Sequence, residues 1–216
     1  MKKKIAVVLA GCGVYDGAEI HEATLTLLAI QQQGVEYQCF APDVEQAHVI
    51  NHLTGEEMPE SRNVLVESAR IARGNIRSLA TFRAADYDAM IFPGGFGAAK
   101  NLCDFAFKGA ACSVNPDVEK AVKAMAVARK PIGALCISPV VITRILGDVA
   151  VTIGNDRETA RAIEAMGGTH QVKSHGEITV DPRHKVVTTP CYMLDATISQ
   201  IYEGASNVVK TILSLA

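Results

Sequence analysis

The sequence predicts an α/β fold, one mostly parallel sheet with helices on both of its faces. Three observations point there. Short apolar runs alternate with helix-patterned stretches along all 216 residues, the order that parallel strands joined by crossover helices require. The runs are continuously apolar, as strands covered on both faces are. Two of them end in residues suited to a site at the carboxyl ends of strands, Gly94-Gly95 and Cys136.

Each element follows in order. IAVVLA (5–10) reads as the first strand, because β-branched and apolar residues run together. Glu19 to Gln33 reads as a helix with Ile20, Ala23, Leu27, Leu28 and Ile30 on its apolar face, ended by Gly34. VEYQCFA (35–41) is a second strand, stopped by Pro42. Asp43 to Ala85 is polar and longer than a simple crossover, and reads as an insertion near the carboxyl ends of the strands. DAMIFP (88–93) is a strand; Asp117 to Arg129 is helical until Lys130-Pro131 breaks it. PIGALC (131–136) is a strand, and Ser138 to Leu146 a helix. VAVTI (149–153), EITV (177–180) and KVVTT (185–189) are further strands, the last two turned into a hairpin by DPRH (181–184). A long helix from Leu194 closes the chain. With no internal repeat and no low-complexity linker, residues 1–216 read as a single domain.

Composition narrows the function. The chain is 49% hydrophobic and 20% charged, with a net charge of −2, which gives no basic excess for nucleic acid. Lys2, Lys3 and Lys4 read as a solubilising terminus. No apolar run approaches the roughly 20 residues of a membrane span, so no membrane partner is expected. The six cysteines form no CxxC pair, and free thiols in a reducing cytoplasm are the simplest account.

LAGC (9–12) after the lysines resembles a lipoprotein cleavage site. A secretory signal needs an apolar stretch of roughly 7–15 residues, and only Ile5 to Ala10 are available. GCGVYDG (11–17) resembles a dinucleotide-binding glycine loop, with Asp43 as its distal acid. The third glycine position holds Asp16 instead, wrong in both spacing and charge for a pyrophosphate. No cofactor is expected.

KPIGALCISPVVITRIL (130–146) carries the chemistry. A strand ends at Cys136 and a helix begins within two residues, with Pro139 in its first turn. Such an elbow exposes its side chain at the top of the sheet. The helix amino end beside the sulfur favours thiolate. Gly94-Gly95 ends another strand, where backbone N–H groups can approach a ligand closely; with the Ile137 N–H they would form an oxyanion hole. Glu19 and Glu22, three apart at the amino end of the first helix, share a face, and either could reach a thiol at that edge.

GAEIHEA, PGGFGAAKN and LCISP, in that order, resemble the PfpI-like superfamily, with its flavodoxin-like, class I glutamine amidotransferase-like three-layer sandwich. INHLTGEEMPESRNVLVESARIARG, CGVYDGAEIHEA and TTPCYML resemble more closely its ElbB branch, described as isoprenoid-biosynthesis proteins with an amidotransferase-like domain. The resemblance spans nearly the whole chain. It implies Cys136 as the reactive thiol and Glu22 as its carboxyl partner, with Glu19 the lesser candidate, and the backbone of Gly95 and Ile137 as oxyanion donors. It also implies a homodimer.

One departure matters. Many superfamily proteases and glyoxalases carry a histidine directly after the cysteine, where Ile137 stands here; a local Cys-His dyad cannot form, which argues against a peptidase. His175 and Glu177 form an H-x-E pair that reads as a surface loop. His48 and His52, four apart, suit metal only on a helix and with a third ligand, so no metal site is expected. Asp16, Tyr15, His21 and Asn101 are candidate pocket residues by loop position.

The branch resemblance implies a glutathione- and cofactor-independent glyoxalase, taking a small aldehyde such as glyoxal to the hydroxy acid. Cys136 would add to the aldehyde carbon, and Glu22 would shuttle the proton, its pKa raised by the apolar surroundings. Two alternatives stand beside it: a redox sensor whose Cys136 oxidises next to Glu22, and a metabolite-binding regulator linked to isoprenoid metabolism.

Overall fold

The computed structural model describes residues 3–216; Lys2 of the basic cluster lies outside them. The first strand, β1 (Lys4–Val8), leads through a glycine-containing turn into α1 (Ile20–Gln32) and back to β2 (Glu36–Ala41). A long loop precedes α2 (Val64–Ile71) and the edge strand β3 (Ile76–Ser78). The chain then crosses to the other side of β1 as β4 (Ala89–Phe92), followed by the short helices α3 (Phe96–Lys100) and α4 (Phe105–Lys108) and by α5 (Pro116–Val127). Next come β5 (Ile132–Leu135), α6 (Pro139–Leu146), β6 (Ala150–Val151), α7 (Arg157–Ala165) and β7 (Thr169–His170). The hairpin β8 (Thr179–Asp181) and β9 (Val186–Thr189) and the long helix α8 (Ile198–Leu215) complete it.

The main sheet has the order β3-β2-β1-β4-β5-β9-β8. Its pairings are parallel except β8 with β9. The predicted α/β class holds. Along β1 the side chains alternate between two cores. Ile5, Val7 and Leu9 join the layer of α1 and α8, while Ala6, Val8 and Ala10 join the layer of α5 and α6. All six are buried. A strand covered on both faces reads as an unbroken apolar run for this reason. Chain order reverses between β1 and β4, and the crevice above such a switch point is where open α/β sheets take ligands.

Three elements differ from expectation. The apolar face assigned to α1 is rotated: Ile20 and Leu28 are 45% and 44% exposed, and the buried face is Glu22, Ala23, Thr26, Ala29 and Ile30. Two hydrogen bonds fix Glu22 inward at the cost of exposing Ile20. The run 149–153 supplies only β6, which leaves the main sheet and pairs with β7. Side chains hold it instead, with Ala150 N donating to Asp181 Oδ2 at 2.8 Å and Thr152 N to Thr188 Oγ1 at 2.8 Å. The segment 43–85 contains α2 and β3, an ordinary crossover behind a loop.

The last helix begins at Ile198, not Leu194. Thr197 and Gln200 form a capping box there, each side chain taking the other's backbone N–H. Lys3 donates to the Leu213 carbonyl at 2.8 Å, at the carboxyl end of the same helix. Among the described residues, no helix is long and apolar enough to cross a membrane.

Candidate functional site

Four strand ends converge at the crevice. β5 ends at Leu135, and the next residue, Cys136, takes φ 59°. That left-handed conformation costs a non-glycine residue roughly 1–2 kcal/mol. It is held by the Cys136 N–H donating to Thr189 O at 3.0 Å and by Ser138 Oγ donating to Pro93 O at 2.7 Å. These bonds tie the elbow to the ends of β9 and β4. Cys136 is 7% exposed, so the thiol meets solvent only through a cavity.

Glu22 sits on the third residue of α1 and is fully buried. Its Oε2 accepts the Gly94 N–H at 2.8 Å and its Oε1 the Tyr192 N–H at 3.1 Å. It also lies beside the Cys136 thiol, the two meeting across Gly94. Glu19 does different work. It is the N-cap of α1, its Oε2 accepting the Glu22 N–H at 2.7 Å, which satisfies an orphan donor of the first turn. The backbone N–H groups of Gly95 and Ile137 lie close enough to the Cys136 sulfur to favour its charged form. Gly95 has φ 97°, and a Cβ there would lie 2.4 Å from Glu19 N and 2.5 Å from Gly17 O, so only glycine lets the loop after β4 close on the turn after β1.

Burial pushes the Glu22 carboxyl from the ordinary carboxylate range up to about 7, and nearby Glu19 adds to the rise; the N–H bonds from Tyr192 and Gly94 and the contact with Cys136 oppose it. Burial also drives the Cys136 thiol well above its usual range, and the Glu22 charge reinforces this against the Gly95 and Ile137 N–H bonds. The sequence suggested a thiolate at a helix amino end. Desolvation outweighs that short helix, and the resting sulfur is a thiol.

The cavity beside Cys136 has a volume of about 430 Å³. Of the expected site residues, Cys136, Gly95, Ile137 and Glu19 line it, and its walls are mostly apolar: Val14, Phe96, Ala99, Phe105 and Met193. His21 stands at its rim, where Nδ1 and the hydroxyl of Tyr192, a lining residue, are hydrogen-bond partners at 2.8 Å. Asp16, Tyr15 and Asn101 do not line it. Asn101 Nδ2 donates to the carbonyls of Ala10 and Asp16, both at 2.8 Å, and Asp16 Oδ2 accepts the Ile50 N–H at 2.8 Å. These side chains brace the turn. Tyr15 belongs to a separate hollow with Ile50 and Lys100.

Among the described residues, no histidine lines the cavity. His48 and His52 lie in an irregular loop, not on a helix. His52 Nε2 accepts the Tyr15 N–H at 3.2 Å, while Nδ1 bonds the Ile50 carbonyl at 3.0 Å. Among the described residues, no group of three His, Cys, Asp or Glu side chains is placed to hold a metal ion. His175 and Glu177 face another hollow, with Lys173, Glu203 and Lys210. The sequence reading missed Tyr192, Met193, Phe105, Asp156 and Thr159, which also line the cavity. Tyr192 and Met193 were within reach of a simple signal, since they lie three and four residues past the predicted strand end at Thr189.

No family model matches the chain. Several proteins align over nearly all of it. The mitochondrial ES1 protein homolog of Rattus norvegicus is 49% identical over 224 residues, 99% of this chain and 84% of that protein. The mitochondrial glutamine amidotransferase-like class 1 domain-containing protein 3 of Homo sapiens is 50% identical over 222 residues, 98% and 83%. Among solved structures, an isoprenoid biosynthesis protein with amidotransferase-like domain from Ehrlichia chaffeensis has a TM-score of 0.93 at 36% identity, covering 99% of both chains. Glyoxalase III from Candida albicans has a TM-score of 0.64 at 13% identity, covering 99% and 97%, and shares the fold. The expected cytoplasmic setting is corrected by these relatives, which are named mitochondrial proteins. Unpaired thiols require only a reducing compartment and do not single out the cytoplasm.

Proposed function

The chain belongs to the ES1 protein family, and from that premise we propose that it is a cofactor- and glutathione-independent glyoxalase, converting glyoxal and related 2-oxoaldehydes to hydroxy acids. The observation that carries this reading is the buried Glu22 carboxyl, with both oxygens fixed by backbone N–H groups and set beside the Cys136 thiol across Gly94. A carboxyl titrating at about 7 can accept and return protons at neutral pH. The ElbB-branch resemblance and the fold shared with a glyoxalase III support it.

The steps follow from the geometry. The Cys136 proton passes to Glu22 as sulfur adds to the aldehyde carbon, giving a hemithioacetal. The N–H groups of Gly95 and Ile137 hold the developing oxyanion, which then takes the proton from Glu22. Glu22 next removes the hydrogen from the carbon bound to sulfur, giving an enediolate; the hydroxyl proton of that carbon passes to the neighbouring oxygen, and Glu22 returns its proton to the neighbouring carbon as the carbonyl beside sulfur forms. The product is a thioester of the hydroxy acid. Water cleaves it, so that glyoxal and one water become glycolate and the thiol is restored. The substrate is oxidised at one carbon and reduced at the other.

A direct assay of glycolate formation from glyoxal tests this. Cys136→Ala and Glu22→Gln each reduce production to background; activity retained in the cysteine variant rules the mechanism out. A second reading, redox sensing at Cys136, draws on the same two N–H donors, which suit the oxygens of an oxidised sulfur as well as an oxyanion. The raised thiol pKa favours the enzyme, because the protonated sulfur is a poor nucleophile toward peroxide until a proton acceptor and substrate are both in place.

A further inference from the structure

Two thiols outside the Cys136 site are paired. Cys103 follows α3, and Cys112 comes nine positions later, after α4 and a single turn at Gly109–Ala111. The chain doubles back between them. Cys103 forms an antiparallel bridge with Val114, Asp104 N donates to Ser113 O at 3.1 Å, and Ser113 N donates to Asp104 Oδ1 at 2.6 Å. This clasp brings Cys103 and Cys112 to the same end of the loop, where the Cys103 thiol donates to Ala98 O at 3.4 Å. Both are buried. Arg144 of α6 reaches the same place, its Nε donating to the Cys112 carbonyl at 2.6 Å. A hollow of about 340 Å³, lined by Cys112, Ser113, Val114, Glu119 and Arg144, opens there. The chemistry at Cys136 uses none of these groups.

We propose that Cys103 and Cys112 are a dithiol–disulfide redox site, oxidised by a small hydroperoxide entering through the Arg144 hollow, and that closing the disulfide moves one wall of the Cys136 cavity. The wall is Phe105 and Ala106, which line that cavity and lie inside the loop the disulfide would close.

The roles divide by environment. The neighbouring Cys103 thiol holds Cys112 below the usual thiol range, burial opposes this, and the Arg144 cation adds to the lowering. Cys103 is pushed up by the neighbouring Cys112 and by burial. Cys112 is therefore the attacking sulfur. Its thiolate displaces the leaving oxygen of hydrogen peroxide. A sulfur–oxygen bond forms, the O–O bond breaks, and the hydroxide released takes up the proton that Cys112 lost on ionising and leaves as water. Cys103 then attacks the sulfenic sulfur; the S–S bond forms, the S–O bond breaks, and the hydroxide leaves with the Cys103 proton as a second water. Two electrons pass from the two sulfurs to the peroxide.

Lys108 stands between the two cysteines, so trypsin places them on separate peptides, 101–108 and 109–120. The intact protein is treated with hydrogen peroxide, alkylated and digested without reductant. The expected result is a linked pair of these peptides that separates on reduction, formed equally in Cys136→Ala, which removes the cavity thiol. Recovery of both peptides separately alkylated, at peroxide doses that oxidise Cys136, overturns the proposal, as does random linkage of Cys103 to other cysteines. Cys112→Ser and Cys103→Ser should each abolish the link, with thermal melts confirming that at least one variant is folded. The wall coupling is read by iodoacetamide. Oxidation of the pair should change the Cys136 alkylation rate several-fold in the wild type and not in Cys112→Ser, and an unchanged rate overturns the coupling.

Discussion

Gly94 leaves no room for a side chain between the two reactive groups: a Cβ there would stand 2.3 Å from the Cys136 Cβ and 2.6 Å from Glu22 Oε2. Neither neighbour can yield freely, since one sits in a strained elbow and the other is hydrogen-bonded at both oxygens. Gly94→Ala should therefore part the thiol from the carboxyl. A displacement of about 1 Å at reacting atoms costs on the order of 100-fold in rate, and overpacking costs about 1–3 kcal/mol. Glyoxal turnover and urea unfolding on one preparation measure both.

Glu22 makes stability depend on pH in a fixed direction. Folding raises its pKa from 4.5 to about 7, so the folded state keeps the proton longer. Below 4.5 both states are protonated and nothing is lost. Between these values the unfolded chain releases its proton first, and stability falls as pH rises; above about 7 the full difference stands. It corresponds to about 3 kcal/mol at most. Between pH 4.5 and pH 8, wild type should lose up to this much relative to Glu22→Gln in urea titrations. Parallel curves for the two proteins would contradict the buried, protonated carboxyl.

The same substitution should act oppositely on the sulfur. Both the Glu22 charge and its hydrogen bond raise the Cys136 pKa. Glu22→Gln removes the charge, so iodoacetamide should alkylate Cys136 severalfold faster at pH 8 while glycolate production falls to background. Slower alkylation would show that Glu22 activates the resting thiol rather than holding its proton.

Thr197→Ala tests the last helix. Loss of its N-cap bond should cost about 1 kcal/mol, seen as a lower urea midpoint with unchanged slope. Turnover should stay within twofold, because the capping box lies outside the cavity.

How far the sequence reveals the site depends on whether a residue's role is local. Cys136 ends one predicted strand, Gly95 lies two residues past another, and Glu22 lies in the first turn of the helix after the first strand; parallel strands bring such ends together, so their meeting is legible. The face of α1 is not, because two bonds from Gly94 and Tyr192 decide it and both partners are distant in sequence. Phe105 enters the cavity from the four-residue helix α4, and Asp156 and Thr159 from the N-cap and first turn of α7, neither of which the strand-and-helix pattern marks as facing the site. β6 reads as a core strand, but the side chains of Asp181 and Thr188 hold it outside the sheet. The start of α8 was readable, since Thr197 and Gln200 have the capping spacing. The thiolate expectation failed because helix position is visible in a sequence while depth of burial is not.

The contact of Gly95 with Gly17 and Glu19 sets main chain against main chain, and this divides the cavity into halves of unequal adaptability. A substitution on the glycine side must move a backbone, whereas one at Phe105, Thr159 or Met193 exchanges a side chain at the wall. Directed evolution toward bulkier aldehydes should therefore find its productive libraries at those three positions, and inactive clones wherever diversity is placed in the two glycine loops.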